Sequence, residues 1–167
     1  MEIGARRGMV DRMIGAARLD VDTYEEVESD YSATGQAAIV VTIVAIASAI
    51  GGAGAGGVGI IGGVLSAVVG WLLWAGIAYL IGDKLFGGTA TWGELLRTIG
   101  FAQAPGVLLI LAIIPVLGWI VQFVVGIWLL VAGIIAIRQA LDFSTGKAIL
   151  TAIVGWIPLV IARAILF

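Results

Sequence analysis

From Tyr31 to Gly82 the chain runs 52 residues without a charged side chain, and from Thr98 to Ile137 it runs another 40. A membrane-crossing helix needs about 20 apolar residues to traverse about 30 Å of hydrocarbon, so each run accommodates two helices and a turn. A fifth apolar segment, Ala148 to Phe167, carries one charge, Arg163, close enough to its end to snorkel toward headgroups. The expected fold is an all-α integral membrane protein: a bundle of five transmembrane helices over about 37–50, 58–82, 99–117, 119–137 and 148–166. Residues 1–36 form a short amphipathic and acidic helical segment on the cytoplasmic side, and residues 37–167 form the membrane domain.

Within the N-terminal segment, Met9, Val10, Met13, Ile14, Ala17 and Leu19 recur among arginines at helical spacing, the signature of a helix lying in the membrane interface. Arg6, Arg7, Arg12 and Arg18 are its candidate contacts to lipid headgroups. Asp22 followed by Glu25 has the spacing of a capping box. It predicts a second, acidic helix whose Glu25, Glu26, Glu28 and Asp30 are solvated and available to a basic partner.

The spans carry few polar features. Gly51 to Gly57 reads either as an extramembrane turn or as a helix break buried in protein. In the second span Gly59, Gly63, Ala67 and Gly70 recur every three or four residues, marking a groove for close helix packing, within the chain or between copies in a homo-oligomer. Trp71 and Trp74 sit mid-span, where they fill volume opposite glycine-rich surfaces or line a pocket for an apolar ligand. Thr91-Trp92-Gly93-Glu94 has the form of a helix N-cap, and Glu94 and Arg97 are spaced to pair. Gln103 and Gln122 are intramembrane polar groups too far apart in depth to bond. Pro105, Pro115 and Pro158 are expected to kink or break their helices.

Composition narrows the chemistry. Charged residues make up 12% of the chain against about 25% in a soluble domain, and the mean hydropathy is +1.14. There is no histidine and no cysteine, so the usual zinc, haem and iron–sulfur ligands, a thiol nucleophile and an imidazole base are all missing. Paired carboxylates at membrane depth are also absent, and the expectation is a protein that is not an enzyme and holds no cofactor or metal. A net charge of −2 supplies no basic stripe for phosphates, which excludes nucleic acid as a partner. Membrane lipid and protein partners at the N-terminus remain. With the N-terminus inside, eight of nine cationic residues fall on one side and only Arg163 opposite, so charge bias puts the N-terminus in the cytoplasm and the C-terminus outside.

The stretches ELLRTIGFAQAP (94–105) and IPVLGWIVQFVVGIWLLVAGIIAIRQALDFSTGK (114–147), with TYEEVESD before them, resemble the membrane domain of the Ypt-interacting protein (Yip) family, in its prokaryotic form. The resemblance implies a five-span bundle with a cytosolic N-terminus, here in a prokaryotic plasma membrane. In eukaryotes it implies Golgi and endoplasmic-reticulum proteins that associate with Rab-type GTPases and with one another in vesicle formation. The long acidic, proline-containing region tied to the GTPase role has no counterpart here. The expected function is a non-enzymatic membrane-organising or trafficking scaffold that binds partners and oligomerises. The alternative is a small transporter, channel or lipid-moving protein. A wet cavity reaching from Gln103 toward the outer face would favour the latter, a dry, closed core the former.

Overall fold

A computed structural model describes residues 7–52 and 59–166, with side chains up to Ile157. Seven α-helices follow one another: α1 (Met9–Ala17), α2 (Val21–Ser29), α3 (Ala33–Ile50), α4 (Gly59–Tyr79), α5 (Trp92–Ala102), α6 (Gly118–Ala140) and α7 (Thr145–Leu166). Among the described residues there is no strand. A π-helical turn, Leu80–Leu85, extends α4, and a 3₁₀ helix, Ala104–Ile113, extends α5. Four of these helical stretches are long and apolar enough to cross a membrane: Ala33–Ile50, Gly59–Leu85, Trp92–Ile113 and Gly118–Ala140. The last helix is continuous to Leu166, but its side chains beyond Ile157, Pro158 included, lie outside the described residues.

Much of the chain beyond its N-terminal helices is apolar all round, the property of a helix solvated by lipid rather than by water. Ile61, Leu65, Leu73, Phe123, Leu130 and Ile153 are all more than half exposed. A soluble protein does not present that surface. α5 is the central element, with every residue from Leu95 to Ala102 buried.

Close packing in this centre depends on glycines, though not those of the expected stripe. A Cβ on Gly100 would sit 2.7 Å from Ala37 Cβ, and one on Gly106 would sit 2.5 Å from Val44 Cγ1, so α5 and its 3₁₀ extension lie flush against α3. Gly51 packs on the same extension, where a Cβ would run into the Leu109 carbonyl oxygen. At Gly59, Gly63 and Gly70, by contrast, a Cβ would meet nothing within 4 Å. Among the described residues nothing packs directly on these three glycines, although Ala67 and Gly70 border the crevice between α3, α4 and α6. Residues 53–58, which hold most of the glycine-rich segment, lie outside the described residues.

The third apolar run is broken as its prolines require, and more completely than a kink. α5 ends at Ala102 and the chain continues from Ala104 as a ten-residue 3₁₀ helix with Pro105 in its first turn. Proline lacks the donor an α-helix needs, and the 3₁₀ form rises about 2.0 Å per residue instead of 1.5 Å, covering more depth with fewer residues. Pro115 lies in the turn that follows, where Val116 adopts a left-handed conformation at φ 70.

α1 and α6 both stop without glycine. Leu19 (φ 63) follows α1 and Asp142 (φ 52) follows α6. At each end the next two amides fold back on the last turn: Leu19 N to the Ala16 carbonyl and Asp20 N to that of Gly15, then Asp142 N to Gln139 and Phe143 N to Arg138. This is the Schellman arrangement, here without its usual residue.

Candidate functional site

The polar chemistry of the molecule collects at one end of the bundle, where α1 and α2 pack against α5 and α6. Helix ends carry unpaired carbonyls and the negative pole of the helix dipole, and α2 worsens this by placing Glu25, Glu26, Glu28 and Asp30 near its C-terminus. Two buried arginines compensate.

Arg97, on α5, is 2% exposed. Its Nε donates to the Val27 carbonyl at 3.0 Å and to that of Glu28 at 2.9 Å, and Nη2 also donates to Glu28. The guanidinium carbon lies 5.0 Å from the centre of the Tyr31 ring, within cation–π range. A planar fork suits paired carbonyls in a way an ammonium does not. Glu94 therefore does not receive Arg97: its carboxylate turns back to accept from Thr91 N at 2.7 Å while Thr91 Oγ1 accepts from Glu94 N at 3.3 Å. The expected cap is present and the expected ion pair is not.

Arg12, on α1, is 1% exposed. It donates to Glu26 Oε1 from Nη2 at 2.9 Å and Nε at 3.1 Å, to Asp30 Oδ2 at 2.7 Å, and to Gln36 Oε1 at 3.0 Å. It thus faces α2 and α3, not headgroups, contrary to its expected place among the lipid-facing arginines. A guanidinium taken out of water needs carboxylates, and these are the nearest ones. Arg7 adds a looser pair, 3.0 Å from Asp20 and 3.4 Å from Glu26, while Arg18 is exposed. Arg6 lies outside the described residues.

The remaining joints are neutral. Tyr24 Oη donates to the Ala16 carbonyl at 3.0 Å and Trp128 Nε1 to that of Ala17 at 2.8 Å, so side chains from α2 and α6 satisfy the end of α1. Gln139 donates to Glu25, which stays exposed. α2 begins at Val21, with Asp20 at its N-cap position bonded to Thr23 and Arg7, so the expected start at Asp22 is displaced.

These contacts divide the four acids of α2. Hydrogen bonds from Ser32 and Arg12 hold the Asp30 carboxyl down at about 2. Burial, with Glu25, Glu94 and Asp142 nearby, pushes Glu28 up to about 7 despite Arg97. The expectation of four solvated carboxylates holds for Glu25 alone: Glu28 is half-buried, and Glu26 and Asp30 are half-buried and committed to Arg12.

The apolar part of the bundle contains crevices. One of about 330 Å³ lies between α4, α6 and α7, and another of about 320 Å³ between α3, α4 and α6 beside Gln103. A pocket of about 80 Å³ shares Trp74 and Leu129 with both. Trp71 and Trp74 do pack against glycines: a Cβ on Gly100 would lie 3.2 Å from Trp71 Nε1 and one on Gly155 would lie 3.1 Å from Trp74 Cζ3. Gln122 is exposed near the start of α6. No group of three or more metal-ligating side chains occurs among the described residues.

A helical bundle with four membrane-length apolar segments and a charged end is a polytopic membrane protein. A family model described as the Yip1 domain matches residues 21–166, and the chain belongs to that family. The match spans everything from α2 through α7, so the clamped acidic helix is part of the domain. No curated protein matches the chain, and no solved structure does.

Proposed function

We propose that this chain is a non-enzymatic scaffold that organises membrane, presenting the α1–α2 layer to protein partners and lipid headgroups from a five-span bundle. The observation that carries the reading is the double clamp of Arg12 and Arg97, which supports a fixed surface rather than a loose tail. On that surface Asp22, Glu25, Ser29 and Tyr31 are exposed, a patch suited to a basic partner, while Arg18 and the exposed Val10 and Ile14 of α1 suit an anionic bilayer surface. The open surface at Gly59 and Gly63, on the stripe continued by Ala67 and Gly70, suits a second copy of the chain. Gathering of Arg7, Arg12, Arg18, Arg97, Arg138 and Lys147 at the layer's end supports a cytoplasmic N-terminus with the C-terminus outside; the prokaryotic plasma membrane rests on the family resemblance alone.

A photo-crosslinker at Ser29 tests the scaffold directly. A discrete protein adduct lost on Glu25→Lys is expected; adducts identical to those from lipid-facing Leu65 would refute it. Reporter fusions that put both termini in one compartment would refute the five-span topology.

The second reading, a small transporter or lipid-moving protein, is favoured by the crevices beside Gln103. In liposomes it requires flux of ions or labelled lipid above that of empty vesicles, and equal flux would end it.

A further inference from the structure

The indole donors of Trp71, Trp74 and Trp128, three of the chain's six tryptophans, fall into two classes. Trp71 Nε1 donates to the Leu96 carbonyl at 3.0 Å and Trp128 Nε1 to that of Ala17 at 2.8 Å. Trp74 Nε1 has no acceptor among the described residues, and neither does the side-chain amide of Gln103. No buried side-chain nitrogen or oxygen is left unpaired among the described residues, so both groups keep some accessible surface, and both residues line crevices. Trp74 borders all three crevices and Gln103 two of them. Trp74 thus borders the crevice walled by Leu129, Gly126, Gly133 and Trp156, and Gln103 borders the pocket of about 80 Å³ that shares Trp74, Leu129 and Gly133 with it. In hydrocarbon a donor without an acceptor is costly.

From these observations we infer that the crevice between α4, α6 and α7, together with the small pocket that shares Trp74, Leu129 and Gly133 with it, seats one ester-linked phospholipid, its chain along Gly133 and Gly126 and its ester carbonyl in the small pocket, accepting from Gln103 and Trp74. Depth agrees with this assignment. Gln103 is six residues past Arg97, about 9 Å along the helix from the charged layer, and Gly126 is seven residues, about 10 Å, beyond Gly133 away from that layer. A lipid of the nearer leaflet therefore brings its ester to Gln103 and points its chain toward the bilayer centre. The two glycines are open: a Cβ at Gly126 or Gly133 would meet nothing within 4 Å, so the groove has room beside them. A volume of about 330 Å³ is of the size of ordinary ligand sites. An acyl chain alone would satisfy the walls and leave both donors unpaired; an ester satisfies both requirements.

The test uses the full chain in nanodiscs containing phospholipids with a photoactivatable group on one acyl chain, in ester- and ether-linked versions. With the ester lipid, adducts are expected to concentrate on residues 126–133 and Trp156, at least five-fold over the open lipid face at Ile61 and Leu65. Gly133→Leu fills the groove without a backbone clash and should remove that excess while leaving Ile61 and Leu65 labelled as before. The ether lipid should label the groove several-fold less in the wild-type chain, and Gln103→Leu together with Trp74→Phe should abolish the difference. Labelling of the groove no greater than that of Ile61 and Leu65, or undiminished by Gly133→Leu, would overturn the site. Equal labelling by ester and ether lipids in the wild-type chain would overturn the carbonyl assignment. Because none of these variants touches α1 or α2, loss of the lipid site leaves the Ser29 crosslink unaffected, and the two proposals fail separately.

Discussion

The charged end and the apolar end of this bundle are held by different physics. At the charged end, few contacts carry much energy each: Arg97 on the last carbonyls of α2, Arg12 on Glu26 and Asp30, Trp128 and Tyr24 on the end of α1. Each joins two different helices and each has a required geometry. At the apolar end, lipid offers no hydrophobic drive for helices to associate, and the joints are close backbone approaches at Gly51, Gly100 and Gly106. The lesson is that the first region is specified by pairs and the second by the absence of side chains. A single charge deletion should therefore undo the first region, and a single added side chain the second.

The most global break, one that loosens the bundle itself rather than only its N-terminal layer, should come from Gly100→Val or Gly106→Leu, which drive a side chain into Ala37 or Val44. Overpacking costs about 1–3 kcal/mol or more where the backbone cannot move. Thermal melting in detergent should fall by well over 5 °C, whereas Gly63→Leu, on the open edge, should melt like the wild type. A drop of equal size at Gly63 would show that the open edge is filled by a neighbouring copy.

Removing Arg12 alone, as Arg12→Met, should cost about 3–5 kcal/mol in docking of the N-terminal layer, since two carboxylates are left facing each other. The triple variant Arg12→Met, Glu26→Gln, Asp30→Asn should recover most of that loss. Limited proteolysis between α1 and α3 measures both. Arg97→Lys should expose the same region to cleavage by roughly ten-fold, because an ammonium cannot span the Val27 and Glu28 carbonyls as a guanidinium does.

A smaller effect follows from Glu28. Its carboxyl titrates near 7 in the docked layer and at about 4.3 when released. Between these values the released form ionises first, so raising pH from about 4 to 7 weakens docking, by about 1–2 kcal/mol after allowance for its partial exposure. Glu28→Gln should flatten proteolysis rates across that window. Asp30 works in the opposite sense, its stabilisation being lost only as pH falls from about 4 toward 2, and so does not confuse the measurement.

The membrane class, the Thr91 cap and the break at Pro105 were legible because each is local: a run of apolar residues, four consecutive side chains, one missing donor. The partners of Arg12 and Arg97 were not. Arg97 is 70 residues from Val27, and nothing near either residue announces the contact. Spacing suggested Glu94 for Arg97 and headgroups for Arg12, and in both cases the bare ends and acids of α2 won, because the two guanidiniums are buried and these are the acceptors within reach. The glycine stripe misled for a related reason. Periodicity shows that a helix face is flat but not whether a neighbour uses it, and the packed glycines at 51, 100 and 106 have no shared period. The ends of α1 and α6 at Leu19 and Asp142 gave no signal, since the left-handed residue there is not glycine.

Hydrogen exchange of residues 9–31 in lipid nanodiscs tests the clamped layer most directly. The amides of α2, and Tyr24 to Val27 in particular, should be protected to within ten-fold of those in α5, and Arg97→Ala should release α2 while α5 stays protected. Exchange of α2 in the wild-type chain at the rate of an unfolded peptide would contradict the clamp and the scaffold built on it.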